Sequence, residues 1–399
     1  MTGNRLSGKK SIFLICWATY ILAYMCRVNL SSAMLKIQDG LNVGADLIGV
    51  AGGLFFLFYA VGQFINGFLG DRVSPYRFIF LAALGTAFLN IFIAAQNNIY
   101  IIMCCWAVNG YVQSMFWGPL VRILAGRFNE SERADVSVGM QTTSLFGTVI
   151  SWVVLGRILM DRSWRLYFVA PSVIILLSSA AWIYLSAKNP VVSGPGAKPR
   201  AGVLTTIKII LDKQMRFTVL ICVCLGLIRD SVTLWLPAML VSALGIDVKN
   251  SFLIILGISV INFMGALLSR KLLARYQEKI APVMVCLFTV IAACSALSAL
   301  LGDLAPMVSV LMIAAVSAMS IGLTTILLMF LPLSYAKDDV VSSVVGMLDF
   351  SVYAGAAVSS FVIGVFFTDL NLRHISALWA AVAAAAVALS LAVSFTKSK

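Results

Sequence analysis

Residues 46–95 read DLIGVAGGLFFLFYAVGQFINGFLGDRVSPYRFIFLAALGTAFLNIFIAA. This is one apolar run over 46–70, a short polar turn, and a second apolar run over 78–95. About twenty apolar residues is the length that spans a bilayer as a helix. The turn, Gly67-Phe68-Leu69-Gly70-Asp71-Arg72-Val73-Ser74-Pro75-Tyr76-Arg77, carries the charge that both runs lack apart from Asp46 at the edge of the first. The segment therefore predicts two membrane-crossing helices joined by a tight polar link.

The pattern recurs along the chain. Of 399 residues, 61% are hydrophobic and 11% charged, against about 25% charged in soluble domains. A soluble core has no use for a dozen such runs. Apolar runs fall at 11–35, 46–70, 78–95, 98–124, 135–160, 165–187, 215–243, 248–269, 281–301, 306–334, 340–367 and 373–395. Twelve spans put both termini on one side. The links on that side hold twenty Lys and Arg residues and the opposite links six, with Arg27, Arg122 and Arg229 inside spans. The positive-inside bias then places both termini in the cytoplasm, most simply of a bacterial inner membrane. The same distribution reads the net charge of +13 as topology. It lacks the aromatic-and-basic stripe of a nucleic-acid face. The basic start (Arg5, Lys9, Lys10) looks like a signal-peptide head, but the following run is long and contains Arg27, so 11–35 is expected as a retained first helix.

The longest polar segment, 188–213, holds Gly194, Pro195, Gly196 and Pro199 and falls midway along the chain. It is expected as a cytoplasmic linker between six-helix halves 1–187 and 214–399, with 204–213 as a short amphipathic surface helix. A weak internal repeat supports duplication. Gly139-Met140-Gln141-Thr142-Thr143-Ser144 answers Gly346-Met347-Leu348-Asp349-Phe350-Ser351, 207 positions on; Arg27 answers Arg229 and Pro119 answers Pro332. Paired six-helix repeats around a central cavity describe an all-α major facilitator architecture.

Arg27 and Arg229 are the sharpest candidates for chemistry. A guanidinium stays charged, and near mid-membrane it costs at least about 2.5–3.5 kcal/mol, so it needs a wet cavity or a partner. Two such forks at pseudo-symmetric positions suit bidentate capture of phosphate or carboxylate. The bland reading is an Arg paired with Asp230 or Asp349 to hold helices together. Arg122, near the cytoplasmic end of span four, either reaches the cavity or snorkels to the interface. Asp349 is the better cavity acid, and a desolvated carboxylate there suits a proton carrier. Asp230 adjoins Arg229, although neighbours on a helix point about 100° apart. Gln63, Trp117 and Tyr353 complete the expected binding residues.

In the turn after span two, Gly67, Asp71, Arg72 and Arg77 read as gating residues: glycines for close helix approach, and charges that pair in one transport state. The diluted counterpart Gly265-Ala266-Leu267-Leu268-Ser269-Arg270-Lys271 lacks the Asp. The eight cysteines, almost all within runs, read as packing residues rather than a metal or redox site. His374 is expected in a solvated external loop. Nucleotide-binding, metal-ligand and nucleophile signatures are missing, which disfavours an enzyme or an ATP-driven pump, and no cofactor is expected.

The Gly-x-x-x-Asp-Arg-x-x-Pro element resembles the major facilitator signature as used by the organophosphate:phosphate antiporters, which include glycerol-3-phosphate and hexose-phosphate transporters. Arg27-Val28-Asn29 in span one, Trp117-Gly118-Pro119 with Arg122 in span four, and Arg229 with Trp235 and Pro237 in span seven agree with that family. The resemblance implies that Arg27 and Arg229 bind the phosphate group. It also implies alternating access with exchange for inorganic phosphate by a protein working as a monomer. The chain departs from the family at Gln63 (a lysine in the glycerol-3-phosphate transporter), near Thr143 (a histidine) and at Leu234 (an acid), while Asp230 is new. Less positive charge and an added acid suit a zwitterionic or neutral-tailed phosphate, a phosphonate or a carboxylate. Rival readings are a proton-coupled symporter of sugar acids, through Asp349, and a transporter-like solute sensor.

Overall fold

Lipid offers backbone N–H and C=O groups no partner, so an apolar run that enters a bilayer closes its hydrogen bonds within itself as a helix. The computed structural model follows this rule throughout. It describes residues 2–151, 159, 162–188, 208–209, 211–244, 248–301, 306–338, 340–366 and 372–396, and no strand occurs among them. Twelve long helices are described: α1 (Thr2–Ser32), α2 (Ala45–Arg72), α3 (Pro75–Ala94), α4 (Ile99–Ala125), α5 (Arg133–Val149), α6 (Leu166–Lys188), α7 (Lys213–Leu244), α8 (Val248–Arg275), α9 (Ile280–Leu301), α10 (Pro306–Thr325), α11 (Val341–Phe366) and α12 (Leu372–Thr396). Ten of these carry stretches long and apolar enough to cross a membrane; α5 and α7, the latter with Arg229 and Asp230 mid-helix, are the other two. Large apolar side chains such as Phe88, Leu177, Met264 and Leu300 point outward, as in a protein solvated by lipid.

The helices start and stop where local chemistry dictates. Pro75 opens α3 at a position whose N–H is unsatisfied in any helix. The Asn98 side chain caps α4 by accepting from the Tyr100 amide at 2.9 Å. The expected first span begins earlier than its apolar run, at Thr2, and breaks at Ala33 into a short helix, Met34–Leu41, closed by Asn42 in the left-handed region. Beyond α10 the chain makes a wide-turned stretch, Ile326–Phe330. It ends two residues before Pro332, whose missing N–H and ring disturb the helical bonding of the preceding turn.

The residues fall into two compact units, Met1–Thr206 with Pro332–Met347, and Ile207–Leu331 with Leu348–Lys399. Of the expected linker 188–213, residues 189–207 and 210 lie outside the described set, including most of the expected surface helix. In the first unit α2 packs on α4, α3 on α4 and α6, and α1 on α5 and α6; in the second, α8 packs on α10, α9 on α10 and α12, and α7 on α12. Four of these five pairs recur six helices later, as expected of a duplicated unit.

Close crossings use glycine in both units. Gly110 lies against the Phe55 backbone between α4 and α2, and Gly265 against the Ala318 backbone between α8 and α10. A repeated polar clasp escaped the sequence reading. The Trp182 indole N–H on α6 donates to Thr19 on α1 at 3.0 Å, and Trp379 on α12 donates to Ser231 on α7 at 2.7 Å. Such interhelical bonds contribute about 0.6 kcal/mol each in membranes.

Candidate solute-binding and gating residues

In the first unit, α1 carries Tyr20, Tyr24 and Arg27 at spacings of four and three, which places them on one helix face. The Arg27 guanidinium carbon stands 4.7 Å from the Tyr24 ring centre and 5.8 Å from that of Tyr20. Tyr59 of α2 closes a third side at 4.5 Å. Arg27 Nε donates to Gln113 Oε1 on α4 at 3.1 Å, and Nη2 donates to the Tyr59 hydroxyl at 3.2 Å. Gln113 in turn donates to the Cys26 carbonyl at 2.9 Å, which fixes the orientation of its amide. These two partners are neutral groups that aim the guanidinium. The Trp117 ring lies tilted by 33° against Tyr20, centres 4.6 Å apart, one step further from Arg27. Gln63 is buried on α2, and its Nε2 makes no hydrogen bond to another described residue.

In the second unit, Arg229 Nε and Nη2 donate to Asp230 Oδ2 at 3.1 and 2.7 Å. Sequence neighbours diverge by about 100° around a helix, so both side chains fold back to meet. The Tyr353 ring on α11 lies 5.5 Å from the guanidinium. Asp349, one turn before Tyr353, is buried and close enough for its charge to act on Arg229 and Cys222. α7 and α11 approach this closely because Gly226 sits against the Val352 backbone and Gly355 against that of Val223. The side chains of Leu234, Trp235 and Pro237 lie outside the described set.

The turn motif finds its partner on α11, whose first turns belong to the first unit. Asp71 Oδ1 accepts from the Ser342 amide at 2.8 Å, and Oδ2 accepts from the Ser343 amide at 2.7 Å. A carboxylate here satisfies two of the orphan donors at a helix N-terminus and faces the positive end of its dipole. Glycines make the approach possible: a side chain on Gly67 would meet Gly346 and the Ser342 carbonyl, and one on Gly346 would meet the Gln63 carbonyl. Arg122 Nη1 donates to the Gly70 carbonyl at 2.7 Å and the Val73 carbonyl at 3.1 Å, with Nε 4.0 Å from Asp71. Arg122 thus stands at the end of α2 beside Asp71, apart from the cluster at Arg27. Arg72 lies over Phe68 and donates to its carbonyl at 3.4 Å, and Arg77 is exposed.

A second polar cluster ties the turn between α4 and α5. Lys9 Nζ donates to Glu132 at 2.7 Å, while Glu130 pairs with Lys337 at 3.2 Å and with Arg133 at 3.8 Å. The Lys337 hydrogen bond and charge, with Arg133, hold the Glu130 carboxyl below its ordinary range; Lys9 and the Asn129 amide do the same for Glu132.

The structure thus gathers Arg27 with Gln113 and three tyrosines, Arg229 with Asp230, Asp349 and Tyr353, and Asp71 with Arg122 and the start of α11. Tyr20, Tyr24, Tyr59 and Gln113 went unnoticed in the sequence. The spacing of the first two from Arg27 was the available signal, and nothing local announced Tyr59 or Gln113. His374 is exposed, as expected, but sits in the first turn of α12 rather than in a loop. The eight cysteines are unbridged, and no group of three metal-ligating side chains occurs among the described residues.

With helices, repeat and polar clusters in place, the class is a polytopic integral membrane protein. The chain belongs to the major facilitator superfamily: the family model described as Major Facilitator Superfamily matches residues 16–360. Among curated relatives, a probable hexose phosphate transport protein of Chlamydia trachomatis is 24% identical over 166 residues, 42% of this chain and 36% of that one. The glycerol-3-phosphate transporter of Bacillus subtilis is 24% identical over 184 residues, 45% of this chain and 41% of its own. The hexuronate transporter of Bacillus subtilis is 22% identical over 263 residues, 64% of this chain and 62% of its own. The matches thus span about a third to three-fifths of these relatives' lengths. The crystal structure of the transporter FucP in the outward conformation aligns over 96% of this chain and 98% of its own, with TM-score 0.73 at 16% identity, a likeness of fold.

Proposed function

We propose that the protein is a secondary transporter of a small organic phosphate or phosphonate, working by alternating access and able to exchange inorganic phosphate. The observation that carries this reading is the mounting of Arg27. A guanidinium within a membrane-spanning helix is costly to place there, and here Gln113 and Tyr59 aim it while three tyrosine rings flank it. The bonds to Nε and Nη2 hold the guanidinium plane in place, and its remaining donors suit bidentate capture of an anion. The Chlamydia and Bacillus phosphate-ester transporters among its relatives supply the same solute class. In this reading Arg27 and Arg229 take the anionic group. Gln63, Trp117, Tyr353, Asp230 and Asp349 shape the remaining contacts, while Gly67, Asp71, Arg72, Arg77 and Arg122 serve the gate. The halves 1–187 and 214–399 are the moving parts, joined by a cytoplasmic linker over 188–213, with both termini cytoplasmic and the monomer as the working unit.

The test is uptake of labelled phosphate into proteoliposomes preloaded with phosphate, without a pH gradient. Exchange competed by organophosphates is expected. No exchange by a folded protein overturns phosphate antiport. A second reading, proton-coupled symport of a carboxylate, draws on the hexuronate transporter relative and on buried Asp349. It requires uptake that follows an imposed proton gradient and fails in Asp349→Asn.

A further inference from the structure

The second unit carries three charged residues away from its helix ends among the described residues: Arg229 and Asp230 on α7, and Asp349 on α11. One guanidinium faces two carboxylates, a local excess of one negative charge. Asp230 takes both bonds from Arg229 on Oδ2, so Oδ1 is not spent on them. Asp349 is only 4% exposed, so its charge is poorly screened. The Tyr353 ring lies beside the same guanidinium, and an aromatic face favours a cation. A site of that composition is built poorly for a second anion and well for a positive group.

We infer that the Arg229–Asp230–Asp349–Tyr353 cluster receives a cationic amine, so that the transported solute is a zwitterion: a small phosphate or phosphonate bearing an ammonium group. This rests on the organophosphate reading proposed above and narrows it. An ammonium brings three donors and no acceptor, which match the Asp230 and Asp349 oxygens and not the guanidinium. A doubly charged phosphate ester without an amine adds to the negative charge of the cluster. The zwitterion offsets it, so Arg229 here serves the amine end rather than the anionic group.

The experiment compares two near-isosteric probes on the purified full-length protein by calorimetry: O-phosphoethanolamine and propyl phosphate, in which a methyl group replaces the ammonium. Phosphoethanolamine is expected to bind about 10- to 100-fold more tightly, the range set by one charged hydrogen-bonded contact. Asp349→Asn is expected to erase most of that preference. Equal affinities in the wild-type protein overturn the inference without recourse to any variant. So does a preference that survives in both Asp349→Asn and Asp230→Asn. If propyl phosphate and inorganic phosphate bind with no amine preference, the zwitterion alone is refuted. If no phosphate compound binds a monodisperse, cooperatively melting protein, the organophosphate reading falls as well.

Discussion

Asp71→Asn keeps the shape of the side chain and removes its charge. In the native protein the carboxylate receives the Ser342 and Ser343 amides at 2.8 and 2.7 Å. Hydrogen bonds to a charged group contribute about 1.5–3 kcal/mol each. A partly buried anion at a helix N-terminus adds up to about 2 kcal/mol. Asparagine keeps one acceptor and turns its NH2 toward the other amide, so one bond is lost, the other weakens, and the dipole term disappears. The expected cost is about 2–4 kcal/mol, or about 30-fold to several hundred-fold in the local opening equilibrium. Hydrogen–deuterium exchange over residues 341–345 reads it directly, because Ser342 and Ser343 lie where α11 supplies no acceptor of its own. Their protection is expected to fall by that factor, while amides in the middle of α9 stay unchanged. Exchange at Ser342 and Ser343 within twofold of wild type would refute the capping role.

Other outcomes follow from the same geometry. Arg27→Lys keeps the charge but cannot serve Gln113 and Tyr59 as a planar fork; transport should drop by at least about 100-fold with the melting temperature little changed, and normal uptake would remove Arg27 from the binding site. Gly346→Leu drives a side chain into the Gln63 carbonyl and Gly67. It should destabilise by about 1–3 kcal/mol or more in a thermal melt, and a neutral result would mean that the crossing is loose. Glu132 has its carboxyl held low by Lys9. Its contribution to stability is therefore full above the ordinary value of 4.5 and lost as the pH falls below it. Glu132→Gln should flatten the acid limb of the melting curve, and an unchanged limb would assign acid sensitivity elsewhere.

The fold was legible because a bilayer allows a chain few choices: every long apolar run must be a helix. The runs therefore gave the helices to within a few residues over most of the chain. Exceptions arose where polar residues extended a helix beyond its apolar core, as at Thr2–Lys10, or where a helix broke and restarted, as at Ala33. The candidate site was half legible. Arg27, Arg229 and Asp349 stood out because an unexplained charge in an apolar run is costly and so conspicuous. Their neighbours did not, because tyrosines, glutamine and serines are common in membrane helices and carry no such cost.

The sequence by itself determined the helices, the family and the charged residues that any function must account for, since each follows from composition and order along one chain. Only the tertiary structure decided what those residues do with one another. Gln113 and Tyr59 come to Arg27 from other helices. The acid of the turn motif caps α11, 271 positions away. Arg122, for which the sequence left cavity and interface equally open, bonds the carbonyls at the end of α2. The physical reason is that hydrogen bonds and ion pairs act over about 3–4 Å. Separation along the chain says nothing about which groups packing will bring within that reach.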